Sequence, residues 1–343
     1  MYSAFMDYGE VLVTGGTGFV GRHVVRALVA RGFLPRLLVR VGSEDRIPGD
    51  IRSACRITPG DATDPESVEN AVQGTSAIVQ LAGIVREFPA RGITFERVHV
   101  KATRNLVTAA RRWEVPRYVH VSALGARPGD PSAFFDSKGR SEEIVRNSEL
   151  RWTIIRPSAV FGPGDRFIDT LIRLLRRSPV AAVPGDGGVR FRTVHVEDVA
   201  AAIGDAVSRP RTEGRSIDLG GPETLSLDDI VDAVCAALGR RVVKIHAPLP
   251  LARSLVRALS RFEKFPFSPG EIDFLAADNI CESGPYWSEL GRTPLSLKEY
   301  LACILGQRPG TPARVPGAEG PGGAAGQTPG TQLGAEPPSR KAA

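Results

Sequence analysis

Cysteine is scarce in this chain: 343 residues hold four, Cys55, Cys235, Cys281 and Cys303. They lie far apart and form no C-x-x-C pair, so neither a zinc site nor a dithiol redox motif is indicated, and no metal is expected. Buried thiols in a reducing cytoplasm are the reading that remains. Long apolar runs are missing too. No window approaches the roughly 18 consecutive apolar residues that a membrane span needs. The first ten residues, MYSAFMDYGE, lack a basic stretch followed by an apolar one, so no secretory signal is read. Charge of one sign is not dominant either: 44 Lys or Arg against 38 Asp or Glu leave +6, spread over scattered arginines. Basic residues interleaved with aromatics, as for single-stranded nucleic acid, are not found, and nucleic acid is not an expected partner. No internal repeat is visible. What is present is ordinary for a globular chain, 42% hydrophobic and 24% charged, with length for a large core in one large or two modest domains.

The most informative stretch is Val11 to Gly21, VLVTGGTGFVG. An apolar run ends in Thr14 and a glycine cluster, then passes into a helical pattern. Gly15, Gly18 and Gly21 recur at three-residue intervals. Gly15 can take the positive φ of a tight turn. At Gly18 a backbone meant to touch a pyrophosphate cannot carry a Cβ, and Gly21 lets the helix pack closely on the strand. The N–H groups of Thr17, Phe19 and Val20 stand at the helix start, where the dipole favours phosphate. The context of a preceding strand and a following helix separates this pattern from a glycine-rich hairpin turn.

Beyond it, strand and helix alternate. Strands are expected at about 10–14, 37–39, 77–81, 118–121 and 152–155, and helices at 19–31, 63–72, 95–112 and 137–146. Repeats of this kind imply a doubly wound α/β fold around a parallel sheet. After residue 157 the rhythm breaks into a smaller mixed lobe built mainly from 157–306, with helical or strand segments at 166–177, 189–194, 197–207 and 226–238. The chain from 307 to 343 is dominated by Pro, Gly and Ala and reads as a disordered tail. The organisation expected is therefore a nucleotide-binding unit with its lobe over 8–306, then the tail.

These residues resemble the short-chain dehydrogenase/reductase superfamily, in its extended or atypical branch, over about residues 8 to 305. The resemblance rests on T-G-G-T-G-F-V-G at 14–21, Gly60-Asp61 after the third strand, Leu81-Ala82-Gly83, Val121-Ser122-Ala123, the R-P-x-x-x-x-G loop at 156–162 and H-V-E-D-V-A at 195–200. Within the superfamily the chain is most similar to the branch of NAD(P)H-binding accessory subunits of respiratory complex I and their bacterial relatives, which are often linked to quinone or electron-transport functions. The resemblance implies that Asp61 and Ala62 meet the adenine and that Leu81, Ala82 and Gly83 lie beside the nicotinamide ribose. It implies that Ser122 holds a carbonyl oxygen and that Lys138 holds the nicotinamide ribose.

Two positions depart from the family pattern. Family enzymes carry Tyr-x-x-x-Lys on one helix face, where the lysine charge lowers the phenol pKa and the phenol exchanges a proton with the substrate oxygen. Lys138 is present, but the tyrosine position is Phe134, which has no proton to give. His99 stands where the family usually has an asparagine. It is either an acid titrating near neutrality or a hydrogen-bonded structural residue.

The end of the second strand sorts NAD from NADP: an acid there favours the ribose 2′-OH and an arginine the 2′-phosphate. Here Arg40 holds that end with no acid before it, and Ser43, Arg46 and Arg22 stand within possible reach. NADP(H) is the expected cofactor, with NAD(H) as the alternative. In the second lobe, 250–264 reads as a helix with Arg253, Arg257 and Arg261 on one side and an apolar stripe of Leu251, Leu255, Val256, Leu259 and Phe262. It either packs on its own domain or lies on an anionic membrane surface. The chain is thus expected to be cytoplasmic, or peripheral to the inner face of the membrane in a respiratory assembly. Three functions stay open. One is an atypical NAD(P)H-binding protein with weak or absent standard catalysis. The second is an active oxidoreductase or epimerase on a hydrophobic or quinone-like small molecule. The third is a redox-sensing nucleotide-binding regulator.

Overall fold

The computed structural model describes residues 9–259 and 274–306. The tail at 307–343 and the end of the 250–264 segment lie outside the described residues. The chain opens with strand β1 (Glu10–Thr14), helix α1 (Phe19–Val29) and strand β2 (Leu34–Val39). A short helix α2 (Gly49–Arg52), strand β3 (Arg56–Pro59), helix α3 (Pro65–Val72) and strand β4 (Ala77–Gln80) follow. Helix α4 (Ala102–Arg112) leads to β5 (Arg117–Val121), α5 (Ala133–Arg146) and β6 (Trp152–Pro157). β7 (Val160–Phe161), α6 (Phe167–Arg177), β8 (Val180–Pro184), β9 (Arg190–Phe191), β10 (Val194–His195) and α7 (Val196–Ser208) come next. The described chain continues through β11 (Arg215–Leu219), β12 (Leu225–Ser226), α8 (Leu227–Ala237), β13 (Val243–Ala247) and α9 (Leu249–Leu259), then helices Gly284–Leu290 and Leu297–Leu305.

Seven strands form one sheet in the order β11-β6-β5-β4-β1-β2-β3, and every pairing in it is parallel. The doubly wound fold holds. Its cause is legible in β1: Val11 and Val13 point to the face covered by α1 and α7, while Leu12 points to the face covered by α3 and α4. A strand buried on both faces is apolar across its centre, as Val11–Val13 are here. A third core lies in the second lobe, where α6, α8 and helix Leu297–Leu305 enclose Phe161, Phe191 and Ile230.

Several boundaries differ from expectation for physical reasons. The helix expected from Thr63 begins at Pro65, because Asp64 caps it by accepting the Ser67 N–H at 2.9 Å. The single helix expected over 95–112 is two windings: Glu96–Lys101 is a π-helix, and only Ala102–Arg112 is α-helical. Helix α5 begins at Ala133 rather than Ser137, so Phe134 sits in its first turn. The strand expected over 189–194 is split, because its halves pair differently: β9 runs antiparallel to β12, and β10 parallel to β7.

Candidate functional site

In this strand order the chain departs from β1 in both directions, first to β2 and β3, then to β4 and onward. Such a switch point leaves a crevice beyond the carboxyl ends of β1 and β4. The glycine turn lines it. Gly15 has φ +76, and a Cβ there would stand 2.7 Å from the Ala82 nitrogen and 2.8 Å from the Leu81 carbonyl carbon. The turn is therefore pressed against the end of β4, and Gly15 meets Leu81 and Ala82. Gly18 donates its N–H to the Gly15 oxygen at 3.0 Å and caps α1 with extended φ/ψ. It is exposed, and a Cβ on it would meet only the Gly15 oxygen, at 3.2 Å. Gly21 is buried, and its Cβ would fall 2.1 Å from that same oxygen. Gly21 thus seats the helix on the turn itself rather than on the strand. The first turn of α1, with Phe19 and Val20, carries no acidic residue. Its N–H groups lack intrahelical acceptors and suit a phosphate.

At the other edge of the crevice, exposed Arg40 directly follows β2. The Ser43 N–H donates to the Arg40 oxygen at 2.9 Å, and the Arg46 N–H to the Ser43 oxygen at 3.2 Å, so the loop curls back on itself. The Gly60 N–H donates to the Val39 oxygen at 2.9 Å, which sets Gly60 and Asp61 beside Arg40. Asp61 accepts the Thr63 N–H at 2.8 Å, and Asn105 holds the Ala62 oxygen at 3.1 Å. Arg22 is not in this group. Its guanidinium packs against Gly164, within 2.6 Å of where a Cβ would stand, on the far side of the turn.

Lys138, His99, Ser122 and Phe134 converge beyond β4 and β5. The Lys138 ammonium is buried and donates to the Val121 oxygen at 2.7 Å. Burial brings its pKa down to about 8, against the pull of Glu142. Ser122 is also buried, and its hydroxyl has no hydrogen-bond partner among the described residues. An orphaned hydroxyl one residue from the lysine's acceptor fits a group that would accept from it. His99 is pinned at both nitrogens: the Ile84 N–H donates to Nε2 at 3.0 Å, so the proton lies on Nδ1, which faces the Ser137 hydroxyl at 2.8 Å. Ser137 in turn donates to the Phe134 oxygen at 2.8 Å. Burial, with the Lys138 charge beside it, pushes His99 well below the ordinary imidazole range. His99 lies within the π-helical winding, a geometry frequent at functional sites.

Some features of the site have no motif to announce them. The Phe134 ring stands 5.8 Å from His99 and 5.9 Å from Phe95, and Phe135 continues the row to Phe274 at 6.3 Å. These rings form an aromatic wall running from the crevice toward the second lobe. Beneath it, Gln80 accepts from Tyr118 at 2.6 Å, faces His120 at 2.9 Å and donates to Thr103 at 2.7 Å, all buried. Glu142 is fully buried and accepts from Arg156 Nε at 2.8 Å and from Arg146 at 2.6 Å. Its i+4 spacing from Lys138 was the available signal.

The basic helix is present as α9 over its described part. Val256 is buried, whereas Leu251 is 61% and Leu255 56% exposed, so the apolar stripe does not all turn inward. Arg261 and Phe262 lie outside the described residues. No helix among the described residues is long and apolar enough to cross a membrane.

Comparison with known proteins gives a consistent picture. A family model described as NAD(P)H-binding matches residues 15–210. The mitochondrial NADH dehydrogenase (ubiquinone) 1 alpha subcomplex subunit 9 of Mus musculus is 31% identical over 294 residues, which is 83% of this chain and 77% of the relative. The ceramide reductase of Caulobacter vibrioides is 35% identical over 195 residues, 57% of this chain and 60% of the relative. Among solved structures, an NADPH-dependent quinone oxidoreductase of Escherichia coli, complexed with NADPH, shares the fold with a TM-score of 0.68 at 16% identity, over 85% of this chain and 98% of that one.

Proposed function

The chain belongs to the NAD(P)H-binding family, and from that premise we propose that it holds NADP(H) in the β1/β4 crevice while performing little or no standard proton-coupled hydride transfer. The carrying observation is the pairing of an intact glycine turn with Phe134 at the proton donor's position. In this reading Gly15, Thr17, Gly18 and Gly21 line the diphosphate, with the α1 N–H groups facing its charge. Arg40 offers paired donors to the 2′-phosphate, and Asp61 and Ala62 border the adenine. Leu81, Ala82, Gly83 and Lys138 border the nicotinamide ribose. The cofactor supplies a hydride when reduced, and a carbonyl accepting it also needs a proton. Phe134 has none, and His99 spends its Nδ1–H on Ser137. By likeness to the mouse relative, whose name makes it part of an NADH dehydrogenase, the proposed role is structural or regulatory within an electron-transport assembly.

The orphaned Ser122 hydroxyl and the aromatic wall favour a second reading, an active reductase on an apolar carbonyl or quinone. Titration calorimetry and turnover with NADPH and a panel of quinones and long-chain ketones separate the two. The first reading expects NADPH to bind at least about tenfold tighter than NADH, a difference of about 1.4 kcal/mol. It expects Arg40→Ala to remove that preference and leave NADH binding unchanged. It also expects Phe134→Tyr to raise turnover by about a hundredfold from a low base. Equal affinities would overturn the NADP(H) assignment. Fast turnover by the unaltered protein, abolished by Ser122→Ala, would replace the first reading with the second.

A further inference from the structure

The second lobe carries an apolar face that the sheet does not cover. Among the described residues, β8 and β13 pair only with each other, in parallel, from Val180 opposite Val243 to Pro184 opposite Ala247. Ala181 and Val183 are buried in the lobe core, and on β13 Lys244 and His246 turn toward Asp228 of α8. Alternation along a strand sends their neighbours to the opposite side. That side presents Val180, Ala182, Val243 and Ile245, all exposed, with Val243 at 65% and Ile245 at 54%. α9 begins two residues after β13 and carries exposed Leu251 and Leu255.

The surroundings are cationic. Segments 166–186 and 239–259, which supply α6, β8, β13 and α9, hold eight Arg and two Asp besides Lys244, which pairs with Asp228 and Asp232 on the opposite side. Arg176 and Arg177 close α6 just before β8, and exposed Arg241 stands two residues before Val243. Contiguous exposed apolar surface rimmed by charge marks a docking site. A second copy of this chain would set one arginine-rich rim against another. An anionic bilayer answers both features, taking the apolar side chains at the acyl boundary and the guanidinium groups among its headgroups.

We propose that the outer face of the β8–β13 sheet, with the exposed leucines of α9, docks on an anionic lipid surface. This goes beyond the nucleotide site and does not depend on it. The test is co-sedimentation of the full chain with vesicles of phosphatidylcholine alone and of phosphatidylcholine with phosphatidylserine. Binding at least about tenfold stronger to the anionic vesicles, weakening as salt is raised, is expected. Val243→Ser with Ile245→Ser changes only exposed positions and should lower that binding about tenfold, with NADPH affinity unchanged as the check on folding. Equal binding to both vesicle types, no binding at low salt, or binding that the double variant leaves intact would overturn the proposal. Self-association in sedimentation velocity that the double variant abolishes would overturn it in favour of a second copy.

Discussion

Lys138 is the residue whose chemistry depends most on where it is buried. Its ammonium has one hydrogen bond, to the Val121 oxygen, and is 6% exposed, so the charged form is poorly solvated and titrates at about 8 rather than 10.5. A lysine pKa lowered by folding weakens the native state wherever the group is charged in both states, which is below about pH 8. The weakening fades as pH rises from about 8 to 10.5, because the folded protein no longer has to bury a charge. Comparing denaturant unfolding of the wild type and Lys138→Met at pH 7 and pH 10 isolates this group. The wild type should gain on the order of 3 kcal/mol relative to the variant across that interval. A difference that stays constant with pH would mean that the lysine titrates as a solvated one. The identity of this residue, like that of Phe134, was legible in the chain, since a fixed i, i+4 spacing exposes what is present and what is missing. The bonds around His99 were not legible. They come from a backbone N–H fifteen positions away and a serine on another helix, and neither leaves a periodic trace.

Among the elements, the turn between β1 and α1 separates two uses of glycine. Gly21 is needed for packing: a Cβ would lie 2.1 Å from the Gly15 oxygen and 2.8 Å from the Gly16 Cα, both backbone atoms with no freedom to yield. Gly21→Ala should therefore cost about 1–3 kcal/mol of stability or prevent folding. Gly18 has φ −76, which any L-residue adopts, and its Cβ direction is open apart from the Gly15 oxygen. Gly18→Ala should fold with a stability change within about 1 kcal/mol, yet lose at least about tenfold in NADPH affinity as the methyl enters the phosphate's space. Normal NADPH binding by Gly18→Ala would show that the diphosphate runs elsewhere. The spacing of the three glycines announced the turn and the separate uses of Gly18 and Gly21, but not that Gly21 meets the turn's own backbone rather than the strand. Strands buried on both faces were likewise plain from their apolar runs. The π-helical winding at 96–101 and the splitting of 189–194 were hidden, and tertiary partners, β12 and β7, decide the splitting.

The whole molecule is cross-linked in a way that bears on how it responds to nucleotide. Helix α1, which faces the diphosphate in the proposed complex, packs along α7. His23 Nδ1 meets Glu197 at 2.5 Å, and Arg31 reaches the Ala201 oxygen at 3.2 Å. The chain then returns to the main sheet as β11, beside β6. From the second lobe, Asn279 donates to the Leu124 oxygen at 3.2 Å and accepts from Ser158 at 3.0 Å through its own carbonyl. Trp287 is buried in the core that α1 shares with β1 and donates to the Gly220 oxygen at 2.8 Å. With these ties, neither lobe can unfold without exposing part of the other's core, so one cooperative transition is expected. Tryptophan fluorescence, reporting Trp113, Trp152 and Trp287 in the unit built on the main sheet, and far-ultraviolet circular dichroism, reporting all the helices, should trace the same denaturation curve. NADPH at a hundredfold its Kd should shift both curves together, by about 2.7 kcal/mol. If an early dichroism phase with no counterpart in fluorescence stayed in place when the nucleotide was added, the second lobe would be an independently melting unit, and the α1–α7 contacts would not couple it to the nucleotide site.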